Sequence, residues 1–419
     1  MWRILPYLCL LYLIAHLDRI NVGYAALEMT KDLGFTASIY GFGAGIFFFG
    51  YFLLEIPGTV LVETWSARGW IARIMISWGI LSSLTGFIHT PTQFYWARFL
   101  LGLAEAGFFP GMIVYLGHWL CSEDRAKAIA ILMAGGSIAT ILGAPLSGLL
   151  LGVNWLGIAG WRWLFILEGL PAIIFGIITI FYLTDKPQQA KWLSADEREW
   201  IINELDKEKQ AGKLAHSSSI WEAFKQREII LLSAAYFFLL VGVYGLIFWV
   251  PTIVKNLSGF SNFRVTVIAA LPAVVSMTSK LILGWSSDRR GERFYHTTIP
   301  LLIGGLALLV CSGTQDKLVI VVGMFCIAYA CLNSSIPTFW PIATSFLAGS
   351  AGAAAVGLIN SIGNLGGFVG PFLIGYIKDT TNSFAGGMIF LALTAVSSVV
   401  LIFIARPVKK VAQVLINPA

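Results

Sequence analysis

The chain has 419 residues, 57% of them hydrophobic and 12% charged, with a mean hydropathy of +0.79. A soluble globular chain carries about 25% charged residues, so this composition excludes that class and points to a polytopic membrane protein. The formal net charge of +6 comes without a basic patch interleaved with aromatics, which sets nucleic acid aside and leaves Lys and Arg as topology markers.

The first apolar run, about 4–27, can cross a bilayer, which takes roughly 20 apolar residues. It lacks a small-residue cleavage site and holds Asp18 and Arg19 side by side, so it reads as a first span rather than a removable signal peptide. Asp or Arg at a span centre costs about 2.5–3.5 kcal/mol on insertion scales, so such groups persist where they find partners or face a watery cavity. A self-satisfied ion pair and a substrate or ion pathway are the two readings of this pair. Further runs follow at about 37–62, 71–89, 92–118, 126–152 and 161–183, and after a polar stretch at about 228–254, 264–286, 296–313, 317–345, 351–377 and 384–405. Twelve spans are expected. In the polar stretch, Ser194 stands before Ala195, Asp196 and Glu197, the pattern of a capped surface helix. The expected organisation is therefore an N-terminal bundle (1–183), a linker with a surface helix (184–227) and a C-terminal bundle (228–419).

With the N-terminus inside, 19 of the 28 Lys and Arg fall in cytoplasmic segments and 6 in outer ones, with Arg19, Arg98 and Lys280 left in the spans. That bias predicts both termini in the cytoplasm. Between the second and third spans of each half an acid stands five residues before an Arg, Glu63 and Arg68 in the first half, Asp288 and Arg293 in the second. Matching turns in two six-span halves favour a duplicated transporter with its site between the halves. The five cysteines show no metal-ligand or CxxC spacing and read as small buried hydrophobes.

These features resemble the major facilitator superfamily and, within it, the anion:cation symporter family of tartrate, phthalate and hydroxyphenylacetate permeases. The resemblance rests on Leu17-Asp18-Arg19-Ile20-Asn21-Val22-Gly23, Arg73-Ile74-Met75-Ile76-Ser77-Trp78-Gly79, 98–111, Gly160-Trp161-Arg162-Trp163-Leu164-Phe165 with 168–171, and 360–371. The first loop motif departs from the superfamily pattern, with Thr59 and Ser66 for the usual glycines and Glu63 for the usual Asp. The family's fold implies an all-α membrane protein of twelve transmembrane helices in two six-helix halves.

Arg98 and Glu105, seven apart in span 4, share a helical stripe and lie roughly 10 Å apart along the axis. Glycines 102, 107 and 111 thin that helix for close approach, and Pro110 is expected to bend it. With spans 1 and 4 adjacent, Asp18, Arg19, Arg98 and Glu105 would form a cluster of zero net charge. The resemblance implies that Asp18 and Glu105 carry coupling protons with Arg98 as their partner, and that Arg19, Tyr51, Trp340 and Asn360 line the pocket. A guanidinium suits a carboxylate through planar two-point contact, so Arg19 is the first candidate for the substrate. His16 falls on the Arg19 face and is either a ligand contact or a satisfied buried histidine. Asn360 and Asn364 share a face of span 11, and Tyr244 of span 7 is a further candidate. Span 10, with Pro337 and Pro341 around Trp340, is expected to be discontinuous at mid-membrane. Blander roles are expected elsewhere: Glu55 and Glu168 capping helix ends or bridging halves, Lys280 reaching the inner interface along its stem, and Trp249 facing lipid or the aromatic belt.

No catalytic triad, zinc motif, phosphate-cradling loop or nucleotide-binding domain is present, so no enzyme activity, metal or cofactor is expected. The predicted function is import of a small organic carboxylate (a sugar acid, a hydroxy-dicarboxylate such as tartrate, or an aromatic acid) with protons by alternating access in the inner (plasma) membrane. An exporter or anion exchanger on the same fold, or sodium-coupled uptake, is the alternative. The expected partners are the small organic anion, protons and the lipid bilayer, with the chain working as a monomer.

Overall fold

The structure, a computed structural model, describes residues 3–64, 66–212, 226–345 and 351–406. Trp65, Lys213, Lys225, Lys409 and Lys410, and the side chains of Thr59, Glu63 and Lys209, lie outside the described residues. The α-helices in chain order are α1 (Leu5–Asp32), α2 (Ala37–Thr64), α3 (Ala67–Thr85), α4 (Pro91–Glu105), α5 (Phe108–Gly117), α6 (Ser122–Leu151), α7 (Gly160–Tyr182), α8 (Ala195–Gly212), α9 (Arg227–Ser258), α10 (Asn262–Arg290), α11 (Phe294–Gly313), α12 (Leu318–Ser345), α13 (Ala351–Asn364), α14 (Gly366–Thr381) and α15 (Ala385–Ala405). The described residues contain no strand.

Among the described residues ten helices are long and apolar enough to cross a membrane, with α4–α5 and α13–α14 each counted once. The two expected spans that fall short are α1 and α3, and the reason is chemical. Helix α1 carries Asp18, Arg19, Glu28, Lys31 and Asp32, and α3 carries Arg68 and Arg73 among several hydroxyls. Both bury polar positions inside the bundle, Asp18 and Asn21 on α1 and Ser82 and Thr85 on α3, so their faces are not those of lipid-exposed helices.

Local chemistry starts several helices. Thr90 and Gln93 form a reciprocal capping box at α4, and Ser194 and Glu197 form another at α8, at 3.2 Å and 3.0 Å, each satisfying N–H groups that a helix start leaves open. Helix α8 then docks on the start of α6, where Glu208 accepts from the Ser122 N–H (2.9 Å) and pairs with Arg125 (3.3 Å).

Within α1–α7, α3 lies along α7, where a Cβ on Gly79 would sit 2.7 Å from the Gly169 carbonyl oxygen. Such close backbone approach is how membrane helices pack without a hydrophobic drive between them. The remaining spans pack around α9, which contacts α12, α13, α14 and α15. The two groups meet through α2 against α14 and α6 against α10.

Arg3, with its guanidinium 5.0 Å from the rings of Tyr182 and Trp192, marks the end of the bundle that carries the linker. At the opposite end the two groups are sealed by backbone contact. Gly45 faces the Phe368 carbonyl, with a Cβ there only 2.7 Å away. The Tyr40 hydroxyl donates to the Phe248 carbonyl (2.9 Å), and the Asp379 carboxylate accepts from the Ala37 and Ser38 N–H groups (3.1 and 2.7 Å). The α2 N-terminus is thus capped by an acid from α14, which also complements its helix dipole.

Trp249 corrects the lipid-facing expectation: it is buried, donates to the Pro371 carbonyl (3.0 Å) and packs edge-on to Tyr40 at 5.0 Å. Both turns are tied by an acid. Arg293 pairs with Asp288 at 2.5 Å. In the first turn a linker acid, Asp185, accepts from the Ser66 hydroxyl (2.9 Å) and the Arg68 N–H (2.8 Å).

Candidate functional site

The fourth span breaks immediately after Glu105. Ala106 adopts ψ 134 and Gly107 φ 82 before α5 begins. Gly107 is required by that left-handed backbone, which a side chain occupies only at a cost. Pro110 is not the bend: it sits in the first turn of α5, where the backbone N–H it lacks has no helical partner anyway. The break leaves Glu105 as the last residue of α4, 1% exposed, with its carboxylate accepting from the Arg19 guanidinium of α1.

Span 10 corrects the expectation of a discontinuous helix, because α12 runs unbroken through Pro337 and Pro341. Before the first proline, Ser334 and Ser335 donate to the Ala330 (2.6 Å) and Cys331 (3.0 Å) carbonyls one turn back. In this half the interruption falls instead at Leu365, between α13 and α14.

The four expected charges divide into two kinds of contact. Arg19 pairs with Glu105, and its guanidinium lies 5.2 Å from the Tyr51 ring and 5.6 Å from the Phe47 ring. Asp18, fully buried, is held by neutral donors: Trp78 Nε1 (2.6 Å) and the Ser82 hydroxyl from α3, and Asn21 Nδ2 (3.0 Å) from its own helix. Arg98, also fully buried, has no protein hydrogen bond from its guanidinium nitrogens among the described residues. It lies within electrostatic range of Asp18 and Glu105 and 5.0 Å from the Phe47 ring. A buried charge without such company would be prohibitively costly.

Across the interface, Glu55 of α2 accepts from Asn360 Nδ2 (2.5 Å), the Ser361 hydroxyl (2.9 Å) and Asn364 Nδ2 (3.5 Å), all of α13. The two candidate amides are thereby brought to one carboxylate of the opposite group. Glu168 stays within its own group and accepts from the Ser147 hydroxyl (3.0 Å). Tyr244 packs on Phe48 at 4.3 Å and faces Arg19, and Trp340 stands edge-on to Tyr236 at 5.1 Å. His16 lies beside Gly136, where a Cβ would meet its ring at 3.3 Å.

Lys280 corrects the expectation of a stem reaching the inner interface: its ammonium instead donates to the Ser137 hydroxyl of α6 at 3.4 Å. Side chains tilt toward the N-terminus of their own helix. Because α10 runs toward the linker end, that tilt aims Lys280 back to mid-bundle. Trp78 and Ser82, four apart on one face of α3, are the site residues that sequence reasoning missed; their spacing was the available signal.

Comparison with known proteins adds the family context. The profile of the Major Facilitator Superfamily matches residues 8–371. A protein of Agrobacterium vitis named "Putative tartrate transporter" is 45% identical over 406 residues, covering 96% of this chain and 93% of its own. An Acinetobacter baumannii protein named "Quinolone resistance transporter" is 37% identical, covering 96% and 93%. The crystal structure of a D-xylose-proton symporter shares the fold with a TM-score of 0.77 at 14% identity, covering 97% of this chain and 98% of that one.

Proposed function

The chain belongs to the major facilitator superfamily and is a multi-pass membrane transporter, not an enzyme; from that premise we propose that it imports a small organic carboxylate together with protons. The observation that carries this reading is the Arg19–Glu105 pair at the helix break. An ionised Glu105 occupies the guanidinium that a substrate carboxylate needs. A proton on Glu105 frees Arg19, the substrate takes its place, and binding of the two becomes linked. Asp18, held by Trp78, Ser82 and Asn21 next to Arg19, supplies the second proton site, and Arg98 balances whichever acid is charged.

The architecture proposed for this cycle is twelve spans, with α1 and α3 as the polar inner ones, in halves 1–183 and 228–419 joined by the linker 184–227. Both termini lie in the cytoplasm, the membrane is the plasma membrane, and one chain suffices. In that orientation the sealed end faces outward. Tyr51 and Tyr244 flank the carboxylate at Arg19; Asn360 and Asn364 are released from Glu55 as the halves move. The names of the tartrate relatives support a hydroxy acid. The quinolone-resistance relative supports export as the second reading.

Arg19→Lys tests the substrate role, because an ammonium cannot copy the two-point geometry. Binding of tartrate, followed by thermal shift of the purified protein, is expected to weaken at least tenfold. Near-normal affinity would remove Arg19 from the site.

A further inference from the structure

We infer that Lys280 is the anchor for a second carboxylate, so that the carrier selects dicarboxylates over matched monocarboxylates. The inference deepens the proposed organic-anion function and rests on it.

Lys280 is half-buried ten residues before the end of α10, or about 15 Å in from the linker end by helical rise. Its stem points inward and its ammonium reaches across to Ser137 on α6, in the opposite half. A hydroxyl is a weak partner for a charge in such a place. No carboxylate stands within ion-pair distance of it among the described residues. Arg19 and Arg98, the two other cations that the charge count leaves in the spans, are matched: Arg19 is paired with Glu105, and Arg98 has Asp18 and Glu105 in range. Lys280 therefore presents an uncompensated positive charge between the halves, a condition that marks substrate or ion pathways.

Its position relative to Arg19 gives the ligand its shape. The His16 ring packs at Gly136, next to Ser137, and lies within electrostatic range of both Arg19 and Lys280. On α1, His16 and Arg19 are three residues apart on one face, a rise of ~4.5 Å. Two cations, one from each half, thus both lie near His16, and a short dianion passing the imidazole would meet a guanidinium at one end and an ammonium at the other. Such a ligand contacts both halves at once and gives the ammonium the counter-charge that Ser137 cannot.

The test uses two pairs of acids, tartrate with threonate and galactarate with galactonate, each pair differing by one carboxylate against a CH2OH. Binding to the full-length protein is measured for wild type, Lys280→Met and Lys280→Arg, with thermal stability and size-exclusion profile recorded for each. Wild type is expected to prefer the dicarboxylate of at least one pair by tenfold or more. Lys280→Met should lose that preference while changing monocarboxylate affinity less than twofold, and Lys280→Arg should keep it. Equal losses for both acids, as a simple latch between α10 and α6 would give, overturn the inference, as does an unchanged preference in Lys280→Met. Binding of neither acid of either pair to wild type is the failure of the organic-anion reading itself; it is read before any variant and takes this inference with it.

Discussion

Asp18 concentrates the residue-scale argument, because three donors converge on one buried carboxylate. The Trp78 indole and Asn21 amide N–H groups can only donate, whereas the Ser82 hydroxyl can reverse and accept. A proton arriving on Asp18 therefore has one neighbour able to receive its hydrogen bond without moving. Hydrogen bonds to a charged group contribute about 1.5–3 kcal/mol, and Trp78→Phe removes the indole N–H together with half of a fully buried ring system, so it should destabilise the protein by at least that much, the lost hydrogen bond and the cavity adding. In a cycle with Asp18→Asn the pair should couple by about 1–3 kcal/mol, as followed by thermal unfolding in detergent. Additive losses would mean that the indole N–H acts on something else. The acids and arginines themselves were legible in the sequence, since a charge in an apolar run announces itself. Their partners were not: Trp78 and Ser82 read as ordinary span residues, and only their side-chain reach to Asp18 gives them a role.

At the scale of elements, the run lengths in the sequence located the helices to within a few residues, while the interruptions were misread. Pro337 and Pro341 suggested a broken span 10, yet α12 is continuous through both, as is common for proline in membrane helices. The real break of span 4 depends on a backbone conformation at Gly107, φ 82, which proline spacing does not reveal. Gly34 offers a control, with φ 64 in the turn after α1 and nothing within 4 Å of the point a Cβ would occupy. Ala at either position should cost about 1–3 kcal/mol of strain. Gly34→Ala should lower the melting temperature and leave tartrate binding unchanged. Gly107→Ala should lower both, because straightening the break moves Glu105 away from Arg19. Equal binding in the two variants would separate the break from the site.

For the whole molecule, sealing at one end and a charged site between two groups of helices are the features an alternating-access carrier needs, and the arithmetic of charge follows from the site. With the proposed two protons, on Asp18 and Glu105, uptake of a dianion would be electroneutral and uptake of a monoanion would carry one positive charge inward. The membrane potential contributes about 2.3 kcal/mol per charge per 100 mV to the second case and nothing to the first. The central claim, proton-coupled import of an organic anion, is tested most directly by uptake of labelled tartrate into proteoliposomes, without sodium, under an imposed pH gradient, acid outside. Wild type should accumulate tartrate above its external concentration and lose the excess on adding a protonophore, while Glu105→Gln should still exchange tartrate but no longer concentrate it. Accumulation that ignores the protonophore and follows a sodium gradient at equal pH, or that survives in Glu105→Gln with its pH dependence intact, would contradict the account.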